Sequence, residues 1–173
     1  MFKKIIFILL GIIAAAIIGF IVIGFVKPTY EGTVTVTVNA PVSKTFAVFN
    51  DTTNMSKWMN TFKSIKNISG EKNEVGSKWE LRYDENGREL VINETVTAFE
   101  QDKLFAFDME DEFAKFHVEI RFEEVNGQTI IWQTSTGAGK GMAAKSMIAI
   151  MSGGIQKQQQ EMYEKLKTLV ENS

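Results

Sequence analysis

The sequence predicts an α+β domain, a curved antiparallel sheet wrapped around a long C-terminal helix, preceded by one transmembrane helix. Three observations predict it. The run from Ile5 to Val26 is apolar without interruption. Seven segments between Glu31 and Thr136 alternate apolar and polar residues, the period of half-buried strands. From about Gly141 to Val170 the spacing becomes helical, with Met147, Met151, Ile155, Met162, Leu166 and Leu169 along one stripe.

The apolar run justifies the first element. Its residues are Ile, Phe, Leu, Ala, Val and Gly, and about 22 of them at 1.5 Å each cover a hydrocarbon core of about 30 Å. Lys27-Pro28 ends it, because proline cannot continue a helix. A cleaved signal peptide has an apolar stretch of only about 7–15 residues and a small-x-small cleavage site. Ile23-Gly24-Phe25-Val26-Lys27 is a poor one. A buried core helix would be amphipathic, and this run is apolar all round. The reading is therefore a single-pass anchor over residues 1–27. Lys3 and Lys4 precede the span and Lys27 follows it, so the positive-inside tendency puts the domain outside the cytoplasm. A tether over 28–32 and a domain over 33–173 complete the division.

The domain opens on a strand, Glu31 to Asn39, with Val34, Val36 and Val38 on one face and Thr33, Thr35 and Thr37 on the other. Ala40-Pro41 breaks it, and Pro41 suits the start of a short helix carrying Val42, Thr45, Phe46 and Phe49 on one face. Asn50 to Asn54 has turn composition, and Met55 to Asn60 makes one more helical turn. Strands follow over Phe62–Ser69, Ser77–Asp84, Arg88–Phe99, Leu104–Met109, Ala114–Val125 and Gln128–Thr136. Asn86-Gly87 and Asn126-Gly127 are hairpin turns, since a type I′ turn needs two residues that tolerate positive φ. Gly153-Gly154 inside the last helix permits a kink or a close backbone approach.

Composition bounds function. The chain has 173 residues, 45% of them apolar, a net charge of −2 and no cysteine. That length suits one domain plus an appendage. Disulfides, thiolate metal sites and a cysteine nucleophile are excluded. No cluster of Lys and Arg offers a nucleic-acid surface. His117 is the one histidine, and it alternates with Lys115, Glu119 and Arg121 on a solvent face. No metal site or cofactor is expected. Thr136-Gly137-Ala138-Gly139-Lys140-Gly141 fails the phosphate-loop pattern, having Thr134 where the first Gly belongs and Gly141 where Ser or Thr belongs. It reads as a flexible strand-to-helix hinge. Glu94 is the weak candidate for catalysis. It shares a strand face with Leu90, Ile92 and Val96, and burying an unpaired carboxylate is costly. A bulge, or a partner in Arg82 or Arg88, would make it ordinary. Gln133 (or Trp132 in the other register) and Gln158 are lesser inward polar candidates.

Three stretches carry a resemblance. Val38-Asn39-Ala40-Pro41-Val42-Ser43-Lys44-Thr45-Phe46 is a strand, Ala-Pro, then a helix with an inward aromatic. Asn50-Asp51 leads to Lys57-Trp58, and Ile155 to Leu169 closes the chain. Together, over about residues 31–170, they resemble the START-like (SRPBCC) superfamily with the Bet v 1 helix-grip fold, in its polyketide cyclase/dehydrase branch. The resemblance implies a hydrophobic cavity between sheet and terminal helix, and no invariant catalytic set. On that basis the strands would line the cavity with Trp79, Leu81, Tyr83, Ile92 and Glu94, then Phe105, Phe107, Phe116 and Val118. The helix would add Met147, Met151 and Ile155. The expected partners are the membrane and a lipid or other hydrophobic small molecule. A cyclase-like enzyme and a chaperone-like interaction protein are the alternatives.

Overall fold

A computed structural model describes residues 2–85 and 87–173. Helix α1, Phe2–Val26, is exposed along nearly its whole length. It is long and apolar enough to cross a membrane, a property that a signal sequence shares. Near its C-terminal end Gly24 is buried. A Cβ there would stand 2.4 Å from the Ser146 Oγ, so the bare glycine lets α1 lie directly on the last helix of the chain.

Strand β1, Tyr30–Val38, begins inside the stretch expected as tether. Tyr30 pairs with Gly137 and buries its ring against Phe116, with centroids 5.9 Å apart, so the strand starts one residue before the expected Glu31. Helix α2, Val42–Asn50, follows. The Ala40-Pro41 break is held by side chains: Thr129 Oγ1 donates to the Ala40 carbonyl at 2.7 Å and lies 3.0 Å from Thr45 Oγ1. Both threonines are fully buried and satisfied, as buried hydroxyls must be. The Val42 amide, one of the free donors of the first helical turn, donates to Glu124. A 3-10 turn, Thr52–Asn54, and the short helix α3, Met55–Trp58, complete the crossing.

Six more strands follow: β2 Phe62–Ser69, β3 Lys78–Glu85, β4 Arg88–Glu100, β5 Leu104–Glu110, β6 Ala114–Val125 and β7 Gln128–Gly139. All seven form one antiparallel sheet in the order β1-β7-β6-β5-β4-β3-β2. The crossing through α2 and α3 thus joins the two edge strands. Asn126 and Gly127 both adopt positive φ and close a two-residue hairpin, as their spacing predicts. At the other hairpin Glu85 pairs with Arg88, while Asn86 lies outside the described residues.

Helix α4, Met142–Glu171, closes the chain. The core forms where its C-terminal half, with Tyr163, Leu166 and Val170 buried, meets β1, β6, β7 and an aromatic cluster. Phe46 stands edge-on to Phe122 at a centroid distance of 5.0 Å, Phe49 lies tilted against it at 5.2 Å, and Trp58 caps Phe49 at 5.7 Å. Each such buried ring contributes roughly 1.5–3 kcal/mol of transfer free energy.

Four local expectations are corrected. β7 runs on to Gly139, so Gly137 and Gly139 belong to a paired strand and not to a hinge. A Cβ at Gly139 would stand 2.3 Å from the Ala144 backbone, so this glycine serves close strand-to-helix contact. Around Gly153 and Gly154 nothing lies within 4 Å of a Cβ position, and α4 continues through both, so neither serves a close approach. Ile68, which by alternation through Ile65 and Ile68 would face inward from β2, is half exposed on that edge strand, where the register shifts. Met147 and Met151 are 56% and 55% exposed, so this part of the helical stripe lies outside the core.

Candidate functional site

Between the concave face of the sheet and α4 lie two adjoining hollows of about 90 and 310 Å³. They share Met59, Phe107, Gln133 and Met162 as a common wall. The smaller extends toward the aromatic cluster and includes Trp58, Trp79, Leu81, Glu94, Val96 and Phe105. The larger is bounded by Tyr83, Leu90, Ile92, Met109, Phe116 and Val118 from the sheet, and by Ile155, Gln158 and Gln159 from α4. At about 310 Å³ it is at the lower bound of ordinary ligand pockets, about 300–1,000 Å³.

Strand alternation delivers these walls. Residues 79, 81 and 83 of β3 face inward together, and β4 answers with 90, 92, 94 and 96 through the pairs Trp79↔Glu94, Leu81↔Ile92 and Tyr83↔Leu90. The β4 bulge falls between Val96 and Ala98, beyond Glu94, and so does not turn it outward. Ten of the twelve residues singled out in the sequence therefore come together: Trp79, Leu81, Tyr83, Ile92, Glu94, Phe105, Phe107, Phe116, Val118 and Ile155. Met147 and Met151 stand outside the hollows.

Glu94 is the electrostatic centre of the site. It is 8% exposed and flanked across the strands by Trp79 and Met109. Among the described residues no donor bonds its carboxylate. Arg82 is taken by Glu80 at 2.7 Å and Glu89 at 3.1 Å, and Arg88 reaches Glu112, all on the outer surface. Burial without a partner pushes the Glu94 carboxyl up to about 7. The Tyr83 hydroxyl is pushed up too, first by burial and then by the Glu94 charge, which places the two groups in electrostatic reach. Lys72, from the β2–β3 loop, is the cation in the lining of the smaller hollow.

A second polar feature lies on β7. Gln133 is buried and donates from Nε2 to Ser135 Oγ at 2.8 Å. Gln159 donates to the same oxygen at 3.3 Å and accepts from the Tyr30 hydroxyl at 3.3 Å. This chain links β1 and β7 to α4 beside the larger hollow, whose lining includes Gln133 and Gln159, with Trp132 on the opposite face of β7. The Trp58 indole N–H is buried with no partner among the described residues.

The sequence predicts that the turn Met55–Asn60 packs Trp58 and Met59 inward, and both face the hollows, though neither is among the expected cavity residues. Sequence reasoning overlooked Tyr163 and the polar pair Lys72 and Asn73. Lys72 and Asn73 come from a polar loop, which carries no signal of facing a cavity. Tyr163 lies one position beyond the marked Met162 on α4.

His117 is on the outer surface as expected. Its Nδ1 lies 2.8 Å from Asp108, the residue directly opposite on β5, and Lys115 lies 3.2 Å from the other carboxylate oxygen. These partners, the His117 hydrogen bond foremost, hold the Asp108 carboxyl below its ordinary value. Among the described residues no group of three potential metal ligands occurs.

The family described as polyketide cyclase / dehydrase and lipid transport matches residues 30–171 of this chain. No curated protein matches it in sequence. Solved structures match in fold. The protein named Ara h 8.0201 is 16% identical, with a TM-score of 0.67 over 84% of this chain and 99% of its own. A START superfamily protein from Mycobacterium smegmatis is 15% identical, with a TM-score of 0.66 over 83% and 98%. The Zhui aromatase/cyclase from a Streptomyces strain is 12% identical, with a TM-score of 0.62 over 82% and 96%.

Proposed function

This chain belongs to the polyketide cyclase / dehydrase and lipid transport family, and from that premise we propose that it is a membrane-anchored module holding a lipid-like molecule between sheet and α4. The family and its fold support a hydrophobic-ligand-binding domain. One observation carries the finer reading: two adjoining apolar hollows hold a buried carboxylate that lacks a donor among the described residues. An apolar body filling the larger hollow would remove its lining from water. A hydroxyl or amine at one end would give Glu94 the donor that the chain does not supply. The anchoring half of the proposal is supported by the length and apolarity of α1 and by its seat on α4. By the positive-inside tendency the domain lies outside the cytoplasm.

Native mass spectrometry of the full chain, extracted in mild detergent, tests the proposal. The expected result is a bound lipid-range mass that Ile92→Trp, which fills the larger hollow, displaces. A chain that emerges without adducts, and takes up no lipid from added vesicles, would sink it.

A second reading is favoured by Glu94 alone. A carboxyl near neutrality in an apolar site is suited to accept and return a proton, as a cyclase-like enzyme requires. The two readings part on Glu94→Gln. In an enzyme the variant still binds but loses turnover, whereas in a carrier it only weakens binding of ligands that donate to Glu94.

A further inference from the structure

We infer that the N-terminal half of α4 is a membrane-contacting rim, which lays Met147, Ile150 and Met151 into the bilayer surface beside α1. The inference rests on the anchoring proposed above and specifies which face of the domain meets the lipid. Its first support is the apolar face itself. Met147, Ile150 and Met151 are 56%, 56% and 55% exposed, and at spacings of three and four they form one stripe. All three are left open, although the same helix is buried at Tyr163, Leu166 and Val170. Such a stripe in water is a cost without return.

The second support fixes the occupant. α1 meets α4 at Gly24, which sits against Ser146 and the Met142 sulfur. Gly24 stands two residues before the end of a helix of 25 residues. At 1.5 Å per residue α1 is about 37 Å long, a few ångströms more than a hydrocarbon core of about 30 Å. Its last turn therefore lies at headgroup depth, and it holds the first turns of α4 at that same depth. The Met147–Met151 stripe begins one residue beyond Ser146. A helix at that depth with one apolar face buries that face by about 5–10 Å into the boundary between headgroups and acyl chains.

The third support is continuity with the cavity. Ile155, one turn beyond Met151 on the same stripe, is a wall of the larger hollow. Gly154, on the same side of the helix, presents no side chain between them. The apolar path from bilayer to hollow is thus unbroken along α4, and a lipid leaving the membrane need not cross water to reach Ile155.

The absence of native cysteine permits a direct test. Single cysteines at Ile13, Met147, Ile150, Met151 and Glu123 are labelled with a polarity-sensitive fluorophore. The full chain is then reconstituted in vesicles of phosphatidylcholine and phosphatidylglycerol carrying shallow or deep doxyl quenchers. Glu123 is exposed, at the end of the sheet remote from α1, and reports the water-facing baseline. The expected result is that probes at 150 and 151 lose about half their emission to the shallow quencher, that 13 responds to the deep one, and that 123 responds to neither. If 13 is quenched while 147, 150 and 151 behave like 123, the rim is wrong and the anchor stands. If 13 is not quenched, both fail. A blue shift at 150 that follows protein density and ignores the quencher would assign the stripe to a second copy of the chain, and would also overturn the inference.

Discussion

Glu94 binds its proton more tightly in the folded chain than in water, and this makes stability depend on pH. Between the ordinary value of 4.5 and about 7, the folded state keeps a proton that the unfolded state has released. Stability therefore falls as pH rises through that window, and the loss is complete above it. Glu94→Gln removes the penalty. In urea unfolding the variant should match the parent near pH 4 and exceed it at pH 8 by on the order of 2–3 kcal/mol. Parallel pH profiles for the two proteins would show that the carboxylate is already satisfied. Thr61 offers a second residue-scale test. It has φ of 55°, strained for a β-branched residue, at the lip of the larger hollow. Its carbonyl accepts from the Asp84 amide at 2.8 Å, which holds the strained turn in place. Thr61→Gly keeps that backbone bond and should stabilise the chain by about 1 kcal/mol, read as a shift in the denaturation midpoint. Destabilisation would mean that the threonine side chain contributes more than its strain costs.

Among the elements, the end of β7 is where strand and helix come closest. Gly139 is paired with Ala114, and a side chain there would run into the backbone of Ala144 and Lys145 in the first turn of α4. Backbone on both sides cannot give way cheaply. Gly139→Val should therefore destabilise by about 1–3 kcal/mol, while Gly153→Ala, in open space, should be neutral or slightly stabilising as helix propensity improves. Thermal unfolding of the two variants separates close packing from conformational freedom as the reason for glycine; equal effects would refute the distinction. The same comparison explains why a Gly-rich stretch reads as a hinge in sequence. Glycine that permits flexibility and glycine that permits contact look alike until the neighbouring element is known.

At the scale of the molecule, α1 and the sheet share few buried groups. The core lies at the far half of α4, with Asn39 donating from its backbone and side chain to Glu171 at 2.8 and 2.7 Å. A chain starting at Pro28 should therefore keep a cooperative thermal transition and lose its flotation with vesicles. Loss of the transition would mean that α1 belongs to the folding unit. What the sequence by itself determined were the features set by short-range physics. Alternation defined the strands, Asn126-Gly127 closed a hairpin, Ala40-Pro41 began a helix, and an apolar run longer than a core helix needs declared α1. Inward-facing Glu94 was legible for the same reason, because β4 alternates cleanly up to its bulge. Only the tertiary structure decided what the apolar faces cover. Periodicity puts Met147, Met151, Ile155 and Leu166 on one stripe of α4, yet Leu166 is fully buried, Ile155 borders a hollow, and the two methionines are open. Which part of the stripe meets the core is set by strand lengths, register and the angle at which α4 crosses the sheet, which no periodicity within α4 contains.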